Sequence, residues 1–361
     1  MRDPFPIPPI PALSRAVEPL AERLNMPTLP LHIHEVVGAA LLYTFIHTVV
    51  SPVLSTRFFP KHYPIHNRAK KVNWDTHVVS LVQSLLINTL ALWVMFTDKE
   101  RSAMDFEQRI WGYTGGCGLI QGLAAGYFVW DLGITLLNLD IFGLGLLAHA
   151  VSALAVYTLG FRPFLNFYSP TFILYELSTP FLNIHWFFDK LNMTGTKPQL
   201  YNGIALLVTF FLCRLVWGTW QSVVVYTDMW RSLHHAPSAG YLAAFFSSEK
   251  AASSPDTNPM FFAREAATVP LWLTAVYIAS NIVLNALNWF WFVKMVAAVR
   301  KRFEPPAPGK REQPLPANAV PVAKAPAAVG DKDGMAVRRR RAPSIEDVVP
   351  DSDELREGTI Q

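Results

Sequence analysis

Glu176, Ser178, Thr179, Pro180 and Asn183 fall close together inside an otherwise apolar run from Phe164 to Phe188. A carboxylate at membrane depth costs about 2.5–3.5 kcal/mol on insertion scales, so a chain keeps one there where it binds, pairs or reacts. Glu176, Thr179 and Asn183 share one helical face at i, i+3 and i+7. Pro180 removes the hydrogen bond to the Glu176 carbonyl and clashes with it, which predicts a kink and a freed carbonyl beside the carboxylate. Such a patch suits a lipid head group or another side chain. Arg214 is the cation deep in a later run, and Glu176 or Asp131 can cancel its charge.

His149 stands alone in Leu146-Leu147-Ala148-His149-Ala150-Val151-Ser152. An imidazole there can take a proton or carry an acyl group, with Ser152 one turn on to orient it. As a structural residue it is simply a hydrogen-bonded core histidine. Trp74-Asp75-Thr76-His77 opens another apolar run, and His77, Ser80, Ser84 and Asn88 recur at three- and four-residue steps along one face. That stripe either lines a polar cavity or supplies interhelical hydrogen bonds worth about 0.6 kcal/mol each. Asp131, after Tyr127-Phe128-Val129-Trp130, faces water or pairs inside the bundle. His185 reads as a water-facing imidazole near a span end. Asn281, Asn285 and Asn288 again share a face, and Trp289-Phe290-Trp291 reads as an interfacial aromatic belt. His149 and Glu176 are thus the candidate reacting groups. His77, Asp131, Asn183 and Arg214 are the candidate lipid contacts.

The elements that must position these residues are membrane helices. Of 361 residues, 51% are hydrophobic and 16% charged, against about 25% charged in an average soluble domain. The fold class is an all-α integral membrane protein of about seven transmembrane helices, each needing about 20 mostly apolar residues. The runs are Glu35–Ser55, Thr76–Phe96, Tyr113–Gly133, Ile141–Gly160, Phe164–Phe188, Tyr201–Tyr226 and Val269–Val296. Glycines crowd the third, and Asp131 and Asp140 bracket a short join, so the third or fourth is the one expected to be kinked or re-entrant.

Basic flanks set the orientation. Arg57, Lys61, Arg68, Lys70 and Lys71 follow the first run, Lys190 and Lys197 the fifth, and Lys294, Arg300, Lys301 and Arg302 end the last. The N-terminus then lies on the lumenal or exoplasmic side and the C-terminus in the cytosol. Four regions follow: a proline-rich N-terminus (1–30), a first transmembrane helix with a basic cytosolic loop (31–67), a helical domain (68–297) and a disordered cytosolic tail (298–361).

The N-terminus lacks the pattern of a cleavable signal, so the first span serves for insertion. Asn192-Met193-Thr194 fits a glycosylation sequon but falls on the cytosolic side and is expected to stay unmodified. In the tail, Arg338–Arg341 reads as a solvated or lipid-attracted cluster. The run from Val337 to Arg340 also resembles an arginine-based endoplasmic-reticulum retrieval signal, with Ser344 placed for phosphorylation to weaken either role. Cys117 and Cys213 are expected to be buried free thiols. His234-His235 lacks a third ligand nearby, so no metal site is expected there. The net charge of +4 sits at span ends and in the tail and implies no nucleic-acid partner. No cofactor is implied.

Together these motifs resemble the TLC-domain family, over about Arg68 to Val296. The resemblance rests on tryptophan and histidine opening the second span, Tyr127-Phe128-x-x-Asp131 closing the third, and His149 ahead of Ser152. It rests further on Glu176-Leu177-Ser178-Thr179-Pro180-Phe181-Leu182-Asn183, Asn202-Gly203 with Arg214, and Asn288-x-x-Trp291-Phe292. That family includes ceramide synthases, the translocating-chain-associating membrane protein and lipid-homeostasis proteins. The Ser-Thr-Pro-Phe-Leu-Asn stretch is most similar to the TLC domain-containing proteins that are not ceramide synthases.

Ceramide synthases carry a paired histidine where this chain has Ala148 and His149. They also carry a His-Asp-x-x-Asp stretch where it has Ser169-Pro170-Thr171-Phe172. The resemblance therefore implies a protein of the endoplasmic-reticulum membrane (alternatively the plasma membrane) acting in membrane-lipid homeostasis by holding a lipid in an intramembrane polar pocket. A sphingolipid or a fatty acyl chain is the implied partner, and homodimerisation is open. The alternatives are an acyl-CoA-dependent sphingoid-base N-acyltransferase using His149, and a cargo receptor or translocon accessory.

Overall fold

The computed structural model describes residues 1–234, 258–263 and 269–303, and every regular element among them is helical. The arginine run 338–341, Ser344 and His235 lie outside the described residues. Helix α1 (Pro11–Arg23) starts on a proline whose missing N–H is unneeded in a first turn. It packs on α2 (Leu29–Phe58), which carries a π-turn at Ile46–Val50. Asn67 caps α3 (Arg68–Thr97) by accepting from the Lys70 N–H at 3.0 Å. Thr114 caps α4 (Gly115–Leu137) through the Cys117 N–H.

Helix α5 (Leu139–Leu159) is broken at Gly143, whose φ of 70° and ψ of 176° suit only glycine. Next come α6 (Thr179–Lys190), α7 (Lys197–His234) with a π-turn at Phe211–Trp217, and α8 (Leu271–Phe303). Six helical stretches are long and apolar enough to cross a membrane: α2, α3, the stretch Phe106–Leu137 that holds α4, α5, α7 and the part of α8 to Arg300.

The run Phe164–Phe188 is not the single helix expected. Leu165 takes a left-handed conformation, short 3₁₀ and α turns cover Asn166–Phe172, a 3₁₀ segment covers Ile173–Ser178, and only then does α6 begin. Pro170 and Pro180 explain the break, since neither has an N–H to extend an α-helix through it and both sit in first turns. A 3₁₀ stretch rises about 2.0 Å per residue against 1.5 Å, so residues 169–190 extend about 36 Å, more than the roughly 30 Å of a hydrocarbon core. The segment runs antiparallel to α3 along its length. Thr171 meets Arg101 beyond one end of α3, and Trp186 packs on Trp74 near the other. Among the described residues this composite segment is long enough to add a seventh crossing to the six helices. Of the two spans singled out for a kink, the fourth has one, at Gly143, while α4 is a continuous helix; the fifth is broken as well.

The glycines of α4 have a packing reason. A Cβ at Gly118, Gly122 or Gly126 would fall on His32, on Glu35, or on the Val36 carbonyl and Ala39, so this face lets α2 approach closely. Tyr43, Val79, Ile87, Ile120 and Ala124 pack the core between α2, α3 and α4. Leu41, Phe45, Leu85, Phe96, Val208 and Leu212 face outward, as a lipid-solvated surface requires.

Each end of the bundle carries a satisfied buried carboxylate. Asp75 accepts from Ser51 (2.6 Å), Tyr63 (3.0 Å) and Lys71 (2.9 Å). Asp228 accepts both Arg109 bonds (2.7 and 2.9 Å) and the Tyr168 hydroxyl (2.5 Å). At the Asp75 end, Arg68 also reaches Asn138 at 2.8 Å, which brings the starts of α3 and α5 and the end of α4 together. Arg57, Lys61, Lys70, Lys190 and Lys197 fall at that same end. Asn192, of the sequon, is a left-handed residue at φ 58° just past α6, a position asparagine tolerates well. Cys117 and Cys213 are buried free thiols.

Candidate functional site

One cavity of about 250 Å³ is lined by His77, Asp131, His149, Glu176, Asn183 and Arg214. Five elements contribute them: α3, α4, α5, the composite crossing and α7. On α3, the His77 ring stacks on Trp186 with centroids 4.0 Å apart, and its Nδ1 lies 2.7 Å from the Asn183 Oδ1. Asn183 Nδ2 then donates to Ser80 Oγ at 3.0 Å. His77 is thereby fixed in orientation, leaving Nε2 as the nitrogen available to a ligand. Only the first half of the α3 stripe belongs to the cavity. Ser84 and Asn88 instead bond back to the carbonyls of Leu81 and Ser84 in their own helix.

Arg214 sits in the π-turn of α7, a distortion that commonly marks functional sites. Its Nε donates to the Tyr175 carbonyl and the Ser178 hydroxyl at 3.0 Å each, Nη1 to Asn288 at 3.1 Å, and Nη2 to Thr179 at 3.0 Å. Glu176 Oε1 lies 3.5 Å from Nη2. Arg214 therefore pairs with Glu176 and not with Asp131. The carbonyl expected to be freed by Pro180 is not free. In the 3₁₀ segment the Glu176 carbonyl accepts the Thr179 N–H, and it is the Tyr175 carbonyl that takes the arginine.

Asp131 stands on the facing wall, on α4. No hydrogen bond or ion pair reaches its carboxylate among the described residues. His149 lies where the chamber meets a narrower annex of about 40 Å³, which Phe128, Tyr157, Phe172 and Tyr277 help to line. Its Nδ1 is buried without a hydrogen-bond partner, and its ring packs 5.6 Å from Trp291. Ser152, expected to orient it, makes no such bond, because Nδ1 receives none. Trp291 also turns inward to the cavity, so the expected aromatic belt reduces to Trp289 and Phe290, which are exposed. His185 is buried against Gly203 and does not face water. The asparagines of α8 do share a face toward α7. Asn281 accepts from Tyr226, Asn285 donates to Ser222, and Asn288 holds Arg214.

A second polar cluster escaped the sequence reading. Asp3, His32, Glu35 and Tyr113 converge between α2 and α4. The signal was there in His32-Ile33-His34-Glu35 and in the glycine spacing of α4. A span bounded at Glu35 by hydropathy left the two histidines outside it.

An all-α bundle of apolar crossings around a polar chamber, walled by a broken proline-bearing segment, defines a polytopic membrane protein. The family model described as the TLC domain matches residues 73–297, and the chain belongs to that family. It is similar to a TLC domain-containing protein of Schizosaccharomyces pombe, 38% identical over 81% of this chain and 87% of that one. It is similar also to topoisomerase I damage affected protein 4 of Saccharomyces cerevisiae, 28% identical over 77% of this chain and 87% of that one. TLC domain-containing protein 4-B of Danio rerio is 31% identical over 51% of this chain and 69% of its own length.

Proposed function

We propose that the protein binds a membrane lipid in this chamber and acts in membrane-lipid homeostasis, with the basic end of the bundle toward the cytosol, in the endoplasmic-reticulum membrane. The observation that carries the reading is Asp131. A carboxylate facing an intramembrane cavity without a partner among the described residues is well placed to accept from a donor on a ligand. Arg214 and Glu176, already paired across from it, offer a dipole to the same head group, and His77 adds a fixed imidazole. The matching ligand carries an amine or several hydroxyls beside an acyl chain, which is the chemistry of a sphingoid or amino-phospholipid head. Lipids extracted from protein purified out of its own membrane are expected to be enriched in one such class, and Asp131→Asn is expected to lose that enrichment. A lipid profile equal to that of the bulk membrane would overturn the reading.

His149 supports a second reading, an acyltransferase. Its imidazole stands at the junction of chamber and annex, where a chain in the annex would present its carbonyl to an amine held by Asp131. The amine nitrogen would bond the thioester carbon, His149 would take the amine proton, and as the C–S bond breaks it would pass that proton to the departing sulfur, releasing the coenzyme A thiol. Among the described residues no carboxylate is hydrogen-bonded to the imidazole, which favours binding over catalysis. Purified protein given acyl-CoA and a sphingoid base separates the two: amide formed by wild type and abolished in His149→Ala supports the enzyme, and none from wild type removes it.

A further inference from the structure

The cluster of Asp3, His32 and Glu35 lies apart from the chamber, at the end of the bundle opposite the basic loops. His32 and Glu35 are fully buried, and the Asp3 side chain is 25% exposed. The donor atoms of the three residues lie within 4.8 Å of one another. Around His32 Nδ1, Glu35 Oε2 stands at 3.0 Å and Asp3 Oδ2 at 3.7 Å. An imidazole nitrogen carries one proton and satisfies one acceptor well, yet two carboxylates converge on this one. Neither Asp3 nor Glu35 meets a lysine or arginine among the described residues. Glu35 Oε1 is buried with no hydrogen-bond partner. Two acids gathered in a low-dielectric place are relieved either by a proton shared between them or by a bound cation.

We propose that Asp3, His32 and Glu35 form a site for a divalent first-row metal ion, with zinc as the best fit to one imidazole and two carboxylates. Metal–ligand bonds of 2.0–2.2 Å in a tetrahedral site hold neighbouring donor atoms about 3.3–3.6 Å apart. That range falls between the two separations at His32 Nδ1. The other ring nitrogen, Nε2, lies 2.7 Å from the Tyr113 hydroxyl. A ligating histidine anchored in this way through its second nitrogen is the usual arrangement at metal sites.

Gly118 and Gly122 make the room. A Cβ on either would fall on His32 Nε2 or on Glu35 Oε2. His34 Nε2 lies 4.0 Å from Glu35 Oε1, but it is engaged by the Ile7 carbonyl at 2.9 Å and is not counted as a ligand. Three protein donors leave a fourth position to water, which can approach past the partly exposed Asp3. An ion there would tie the N-terminal segment to α2 beside its contact with α4.

The test uses full-length protein in detergent, stripped with chelator and dialysed against zinc. Wild type is expected to retain about one zinc per chain by elemental analysis and to gain thermal stability from added zinc that chelator removes. Asp3→Asn changes a partly exposed residue, is expected to fold, and should weaken zinc binding at least tenfold. Tyr113→Phe should keep the stoichiometry with an affinity lowered about 10- to 100-fold, as for loss of an outer-shell partner. His32→Gln and Glu35→Gln should bind none. Wild type holding no zinc under these conditions, or Asp3→Asn and Glu35→Gln holding as much as wild type, would overturn the proposal.

Discussion

At the scale of the residue, the Arg214–Glu176 pair is the one whose energetics are most directly testable. Both side chains are nearly buried, at 7% and 12% exposure. Breaking such a pair by removing one partner costs about 3–5 kcal/mol, because the other charge is left uncompensated. Arg214→Met should therefore lower the thermal stability of detergent-purified protein strongly. Arg214→Met combined with Glu176→Met should recover much of the loss, since the orphaned acid is then gone. A double variant no more stable than the single one would show that the polar bonds of Arg214 to Tyr175, Ser178, Thr179 and Asn288 carry the stability instead. The need for a partner was legible in the sequence, because the penalty of a lone cation in hydrocarbon leaves few choices. Which acid it takes was not. The choice of Glu176 over Asp131 depends on how the 3₁₀ segment and the π-turn rotate their side chains; the prolines mark where the first begins and ends but not that rotation, and the π-turn has no clear residue signature.

At the scale of the element, glycines and prolines separate into those that shape the chamber and those that do not. Gly143 holds φ at 70° beside the chamber residues Phe142 and Leu146. Gly145, two residues on, has open space around its Cβ direction and an ordinary helical place. Gly143→Ala is expected to cost about 1–3 kcal/mol through backbone strain alone. Gly145→Ala should be neutral or stabilise by up to about 1 kcal/mol, as alanine does in helices. Thermal unfolding of the two variants side by side checks this, and equal behaviour would mean that the break in α5 is not maintained by glycine.

On α4, Gly122→Ala should destabilise as well, because its methyl would land on the Glu35 carboxylate. Hydropathy located the apolar runs, and the kink expected in the third or fourth of them lies in the fourth, at Gly143. Glycines in α4 look like helix weakeners until α2 is seen packed on them. The other break, between Pro170 and Pro180, keeps enough apolar residues to look like one helix.

At the scale of the whole molecule, family and architecture were legible because hydrocarbon allows few solutions: backbone groups must be satisfied within helices, and long apolar runs declare them. The chamber was only partly so. That His77, Asp131, His149, Glu176, Asn183 and Arg214 each sit in a span could be read from the sequence, whereas their meeting around one cavity follows from the rotation of five elements. The arrangement makes a firm topological demand. If residues 169–190 form a full crossing, the loop after α2 and the loop after α6 lie on one side and the α3–α4 connection on the other.

Single cysteines at His66, Lys197 and Lys99 test this, each being exposed, in a background lacking Cys117 and Cys213. An impermeant thiol reagent applied to sealed vesicles should label His66→Cys and Lys197→Cys from the same side and Lys99→Cys from the other. Were the broken segment a re-entrant loop, Lys197→Cys would label together with Lys99→Cys. The basic loops predict which side is which: Arg57, Lys61, Arg68, Lys190 and Lys197 at one end should hold that end in the cytosol, so the first pair should be labelled from the cytosolic face.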